Sequence, residues 1–221
     1  QDTIYAINHY NFIDKIVLRK RLEISNIINN TIKDLQIHDA LDIGTTSDDK
    51  NASSNIVIKN IKNIDNFKCI SDQMVNSDFF NKKLKKSITE EFSENELHEF
   101  SSDLVISNAT IEHVGCYKNQ KKLISELFRV SKNYIFLTTP HRGFPIDFHT
   151  KLPLIHLLPK TIHRKILKII GLSYFALEKN LNLLFPKDIV RILKILKIKN
   201  YKIVYNKFAF LKSNIILIIK K

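Results

Sequence analysis

The stretch Asp39-Ala40-Leu41-Asp42-Ile43-Gly44-Thr45-Thr46-Ser47-Asp48 decides how this chain is read. A short apolar run ends in a carboxylate, one glycine follows, and small polar residues come next. A buried strand that stops at a tight turn and hands over to a helix has this pattern. Gly44 lets the backbone turn where a Cβ would clash, and lets a ligand come close. The amides of the next turn would point at that ligand. Asp42, one pleat before the turn, is placed to accept hydrogen bonds.

Outward from this strand, taken as 38–44, helical and extended patterns alternate. Upstream, residues 10–35 carry Phe12, Ile16, Leu22, Ile28 and Ile32 at helical spacing, which predicts one or two amphipathic helices. Downstream, a helix is expected over 53–61, capped by Ser53 or Ser54. A second strand over 68–71 ends at Asp72, and a helix near 74–83 follows. A third strand is read at 87–89, just ahead of Glu90 and Glu91. The β-branched run Asp103 to Asn108 is the fourth strand, and 119–131 has a helix period. Strand five, 134–139, is stopped by Pro140. A helix over 186–197 begins at Pro186. Two strands close the chain at 202–205 and 215–219, joined by a turn near 212–214. Alternating strands and helices imply a parallel α/β sheet with helices on both faces. The closing pair leaves no room for a helix, so the last strand is expected to be antiparallel.

Composition sets bounds. A chain of 221 residues with 44% hydrophobic and 26% charged residues suits one globular domain, 1–221. The net charge of +13 suggests an anionic partner. The lysines are scattered, however, and no dense basic block appears. The two cysteines, Cys69 and Cys116, form no C-x-x-C, so neither a zinc site nor a disulfide framework is expected, and no metal is assigned. A reducing, cytoplasmic setting fits. There is no apolar run of about 18 residues and no signal-peptide pattern at the N-terminus, which begins with Gln.

Three segments carry a resemblance: Leu41-Asp42-Ile43-Gly44, the run Asp103 to Val114 with its Ile111-Glu112-His113-Val114 end, and Phe136-Leu137-Thr138-Thr139-Pro140-His141-Arg142. Over about residues 36 to 221 the chain resembles a class I S-adenosylmethionine-dependent methyltransferase of the type 11 group. The resemblance implies a Rossmann-like, seven-stranded sheet of order 3-2-1-4-5-7-6 with strand seven antiparallel. It implies S-adenosyl-L-methionine as cofactor, with Asp42, Gly44 and Thr45 in the loop around its methionine half. Asp72 would take the ribose hydroxyls, because a carboxylate accepts two bonds at once. Glu91, with Glu90 as its rival, would bind the adenine amino group. Asn108 and Ala109 would lie beside the transferred methyl. The family's loop usually has two or three glycines; here Thr45, Thr46 and Ser47 follow the single Gly44.

The cofactor is an already activated methyl donor, so the protein must place an acceptor atom behind the methyl and exclude water. A hydroxyl or amine acceptor also needs a base. His113, His141 and His149 are candidates, since all follow strand ends on the ligand side. Residues 141–185 form an unusually long link after strand five, rich in aromatics, histidines and prolines. Within it, 162–170 reads as a basic amphipathic helix closed by Gly171. This insertion is expected to be a lid that selects the acceptor; contact with an anionic membrane surface, at the inner membrane face, is a further expectation.

Three functions stay open: methyl transfer to a small-molecule or lipid- or sugar-linked acceptor, an RNA-directed methyltransferase or nucleic-acid binder, and a degenerate fold without cofactor. Nucleic acid is disfavoured, because no basic stripe interleaved with aromatics and no base-binding Asn-Pro-Pro-Tyr-type motif is present. A nicotinamide enzyme lacks support without G-x-G-x-x-G.

Overall fold

The computed structural model describes residues 12–47 and 54–221. A single helix α1 (Phe12–Ile32) leads into β1 (Asp39–Ile43), and α2 (Ile56–Lys59) precedes β2 (Asn66–Ser71). Next come β3 (Lys82–Lys85), α3 (Glu94–Phe100), β4 (Ser102–Asn108), α4 (Tyr117–Val130) and β5 (Ser131–Pro140). The segment after β5 holds α5 (Lys160–Ile169) and α6 (Ser173–Ala176). The chain closes with α7 (Pro186–Ile195), β6 (Tyr201–Phe208) and β7 (Leu211–Lys220).

The strands form one sheet in the order β3-β2-β1-β4-β5-β7-β6. All neighbours are parallel except β7, which runs antiparallel to both β5 and β6. Alternate residues of each central strand feed two separate cores. Leu41, Ile43, Val105, Ile135, Leu137 and Leu217 meet α4 and α7 on one face. Ala40, Leu104, Ile106, Phe136 and Ile216 meet α1 and α2 on the other. Both faces are covered, so the central strands read as continuous apolar runs.

Several expected elements differ. The helix near 74–83 does not form; Phe79 stacks on Phe67 at 4.6 Å, and Asn81 exchanges hydrogen bonds with the Phe67 backbone. The third strand is Lys82–Lys85 instead of 87–89. It is an edge strand, and its lysines are a usual defence of an exposed edge, so its composition does not look like a strand. Helix α3 went unread, although Ser93 and Glu96 form a capping box. The expected helix over 53–61 shrinks to four residues behind a left-handed Asn55, and Ser53 lies outside the described residues. The final turn is not near 212–214. It falls at Ala209 and Phe210, both left-handed (φ 45° and 72°), and residues 212–214 belong to β7. Two-residue hairpins need positive φ at both central positions, but Ala-Phe lacks the usual glycine or asparagine signal.

At the N-terminal edge of the sheet a buried ion pair ties three strands together. Lys68 Nζ of β2 lies 2.7 Å from Asp39 Oδ2 of β1 and also donates to the Ser101 carbonyl just before β4. Asp39 Oδ1 accepts from the Asp103 amide of β4. Burial works to raise the Asp39 carboxyl, yet the Lys68 and Asp103 bonds outweigh it and hold it below the ordinary value.

Two outcomes follow for urea unfolding. Phe136 is fully buried, and Phe136→Ala should cost about 3–5 kcal/mol. Removing one partner of a buried pair strands the other, so Lys68→Ala should cost about 3–5 kcal/mol at pH 7. Because the Asp39 carboxyl is lowered on folding, the stability that goes with its ionisation is present above the unfolded value of about 3.9 and lost as pH falls through the folded one. Lys68→Ala should therefore flatten the acid limb of the stability curve.

Candidate active site

The strand order reverses between β1 and β4, since β1 leads towards β2 on one side and β4 leads towards β5 on the other. Ligands in open α/β sheets sit outside the carboxyl ends of the strands at such a point. Gly44 and the turn after Asn108 meet there. Gly44 has φ +92°, and a Cβ on it would stand 2.3 Å from Thr110 Oγ1. Ala109 is also left-handed, at φ 52°, with its amide bonded to the Thr138 carbonyl. Left-handed backbone in a non-glycine residue is costly and concentrates where a loop must be held in one shape.

Asp42 is buried at the end of β1, and its Oδ2 accepts the Thr45 hydroxyl at 2.6 Å. Burial pushes its carboxyl up to about 6, with the Thr45 bond opposing. Beside it on β2, burial and the Asp42 charge push the Cys69 thiol up to about 12. Ser71 donates to the Thr45 carbonyl at 2.6 Å, and Gln73 Oε1 accepts from Ser47. Hydroxyls and an amide thus hold this turn, which has a single glycine.

Asp42, Gly44, Thr45, Asn108 and Ala109 therefore share one edge. Asp72 follows the last residue of β2, as expected, and is exposed. Asn108 Oδ1 accepts the Thr138 hydroxyl. Glu91 differs: with β3 ending at Lys85, the residue is six positions beyond the strand, its side chain is 74% exposed, and its nearest cation is Lys122 at 3.8 Å. Glu90 and Glu91 therefore do not directly follow the third strand.

The histidines separate. His141 packs against Phe185 and Tyr205, and its Nδ1 accepts the Gly143 amide. Burial, then Lys212, lowers it. His113 and His149 face each other, Nε2 to Nε2, at 3.1 Å. His113 Nδ1 lies 2.7 Å from the Asn180 carbonyl, and His149 Nδ1 lies 3.2 Å from Asp147 Oδ1. Burial would raise the Asp147 carboxyl, but bonds from His149 and Thr150 hold it down at about 2. Burial would lower His149, yet Asp147 and Glu112 leave it raised; His113 is lowered by burial.

Residues the sequence reading did not single out complete this cluster. Glu112 is fully buried, takes the Thr139 hydroxyl on Oε2 at 2.8 Å, and leaves Oε1 without a hydrogen bond, 3.8 Å from His149 Nε2. Asp147 orients His149. The signals were present as Glu112-His113 and Asp147-x-His149, two short pairs 34 residues apart. The insertion brings them together: Asn182 donates its backbone amide to the Glu112 carbonyl and its side chain to the Gly115 carbonyl, while Gln120 donates to the Asn182 carbonyl.

No protein-family model and no curated protein matches the sequence. Solved structures do resemble the fold. Magnesium protoporphyrin IX methyltransferase from Synechocystis, with bound SAH, aligns at TM-score 0.58 and 15% identity over 98% of this chain and 90% of that one. N-methyltransferase NodS from Bradyrhizobium japonicum, in complex with S-adenosyl-L-homocysteine, aligns at 0.54 and 7% over 100% and 92%. A cyclopropane-fatty-acyl-phospholipid synthase-like protein from Lactobacillus casei aligns at 0.56 and 9% over 96% and 94%. With its sheet order and antiparallel β7, the chain has the fold of the class I S-adenosylmethionine-dependent methyltransferases.

Proposed function

We propose that this protein transfers a methyl group from S-adenosylmethionine to a small-molecule or lipid- or sugar-linked acceptor. The observation that carries this is the desolvated Asp42 carboxylate beside the left-handed Gly44 turn, at the point where the sheet order reverses. Those residues fit the cofactor: a buried carboxylate suits its cationic methionyl end, and the exposed Asp72 suits a ribose diol. When bound, the cofactor supplies a methyl on a sulfonium leaving group. Asp42 anchors the charged end, the Gly44 turn leaves room for the methionine half, and Ala109 leaves room for the methyl. His113 and His149 lie between the β4 exit and the insertion, where we place the acceptor. Asp147 fixes the orientation of His149, as a base needs when it removes a proton from a hydroxyl or amine.

The insertion bears on the acceptor. Leu154, Leu157, Leu158, Ile162, Ile169 and Ile170 are exposed on it, with Ile169 at 74%. Helix α5 contains no acidic residue, and its Lys165 and Lys168 are exposed among these apolar side chains. That combination suits an anionic lipid surface, so we assign the insertion to a peripheral contact through which a lipid-linked acceptor arrives.

Calorimetry with S-adenosylhomocysteine tests the cofactor reading; folded protein that gives no heat at millimolar ligand would make this a cofactor-free scaffold. Asp42→Asn should weaken binding at least about tenfold, roughly the loss of one charge-assisted contact. Stability should move the other way. The folded carboxyl is raised, so its contribution is full below pH about 4 and lost as pH rises through about 6. Wild type should lose up to about 3 kcal/mol across that window, and Asp42→Asn should lose none of it. Co-sedimentation with phosphatidylglycerol vesicles, but not phosphatidylcholine vesicles, tests the surface. Ile169→Glu should reduce it, and equal recovery of both proteins would remove the lipid contact.

A further inference from the structure

We propose that Glu112, His113 and His149 form a binding site for one divalent transition-metal ion. One ligand atom from each lies within 4.8 Å of the others. A tetrahedral zinc ion, about 2.0–2.2 Å from each donor, holds its ligands about 3.4 Å apart. Two of the three distances, His113 Nε2 to His149 Nε2 at 3.1 Å and His149 Nε2 to Glu112 Oε1 at 3.8 Å, bracket that value, and the third pair lies within 4.8 Å.

Hydrogen-bond logic argues for an ion in the gap. The Asn180 carbonyl only accepts, so His113 Nδ1 must carry a proton. Asp147 accepts from the His149 amide and the Thr150 hydroxyl, so it is set as an acceptor towards His149 Nδ1 too, and that nitrogen carries the proton. In both neutral rings the remaining lone pair sits on Nε2, and the two lone pairs point at each other. Something positive must lie between them. A proton on one ring would satisfy the pair but leave the buried Glu112 Oε1 without a hydrogen bond, 3.8 Å from His149 Nε2. A cation satisfies all three atoms together.

The surroundings agree. Each histidine donates its other nitrogen to a carbonyl or carboxylate, the usual support of a metal-bound imidazole. Among the described residues, the charged groups acting on the cluster are Glu112, Asp147 and Arg21, two carboxylates against one guanidinium. Two histidines and one carboxylate are a donor set for zinc or Fe²⁺ that leaves coordination positions open. Cysteine spacing gives no sign of such a site, because its donors are two histidines and a glutamate. Ion binding is independent of the methyl-transfer reading. What rests on that reading is the use of the ion: bound to an acceptor hydroxyl, it would lower that group's pKa in place of a histidine base.

The test uses tag-free protein stripped with chelator and titrated with Zn²⁺ and with Co²⁺. One ion per chain should bind, and Co²⁺ should develop visible absorption that Zn²⁺ displaces. Glu112→Gln and His149→Ala should abolish the absorption. Asp147→Asn, which leaves all three ligands, should weaken affinity about 10–100-fold. If a ligand variant fails to fold, the stoichiometry of wild type and the Asp147→Asn affinity still decide. No binding by folded wild type, or binding unchanged in Glu112→Gln, overturns the site. S-adenosylhomocysteine titration of the same stripped protein separates that failure from failure of the methyltransferase reading.

Discussion

The approach of Gly44 to Thr110 is the contact on which the rest of this molecule turns. With a Cβ at residue 44 only 2.3 Å from the Thr110 hydroxyl, no side chain fits between the turn after β1 and the turn after β4. The two turns therefore close into one edge. Everything proposed for the site depends on that closure: Asp42 buried behind it, Ala109 strained beside it, and Glu112 starting its excursion three residues further on. The sheet supplies the rigidity, because β1 and β4 are hydrogen-bonded neighbours with apolar side chains on both faces.

The loop after β1 has a single glycine and is held in shape by side chains. Thr45, Ser71, Ser47 and Gln73 form a chain of hydrogen bonds across the turns after β1 and β2. Side-chain bonds can fix a loop whose backbone has fewer left-handed positions to spare. Asp42 is buried beside this turn, and its carboxyl rises accordingly.

Legibility varied for reasons that can be named. Strands β1, β4 and β5 lie in the middle of the sheet, so both faces are apolar and the run of hydrophobic residues announces them. Strand β3 lies at the edge and consists of Lys82-Lys83-Leu84-Lys85, which reads as a solvated stretch. With β3 ending at Lys85, Glu91 stands six residues beyond the strand. The capping box at Ser93 and Glu96 was a readable local signal that an acidic context masked. The Ala209-Phe210 turn had no such signal, because its left-handed backbone is imposed by the pairing of β6 with β7. Likewise, residues 74–81 have apolar side chains at helical spacing, yet Phe79 and Phe80 are taken by the core beside Phe67.

The sequence alone determined the alternation of strands and helices, the turn at Gly44, the carboxylate ahead of it, and the antiparallel end of the sheet. These are local properties, written in hydrophobic period, in glycine and in the length of a link. The tertiary structure decided which histidines act together. His113 and His149 are 36 residues apart, and only the docking of the insertion on Glu112 and Gly115 brings their Nε2 atoms to 3.1 Å. Glu112 became a candidate ligand for the same reason: burial without a hydrogen bond to Oε1 is a property of packing, which no spacing in the chain records.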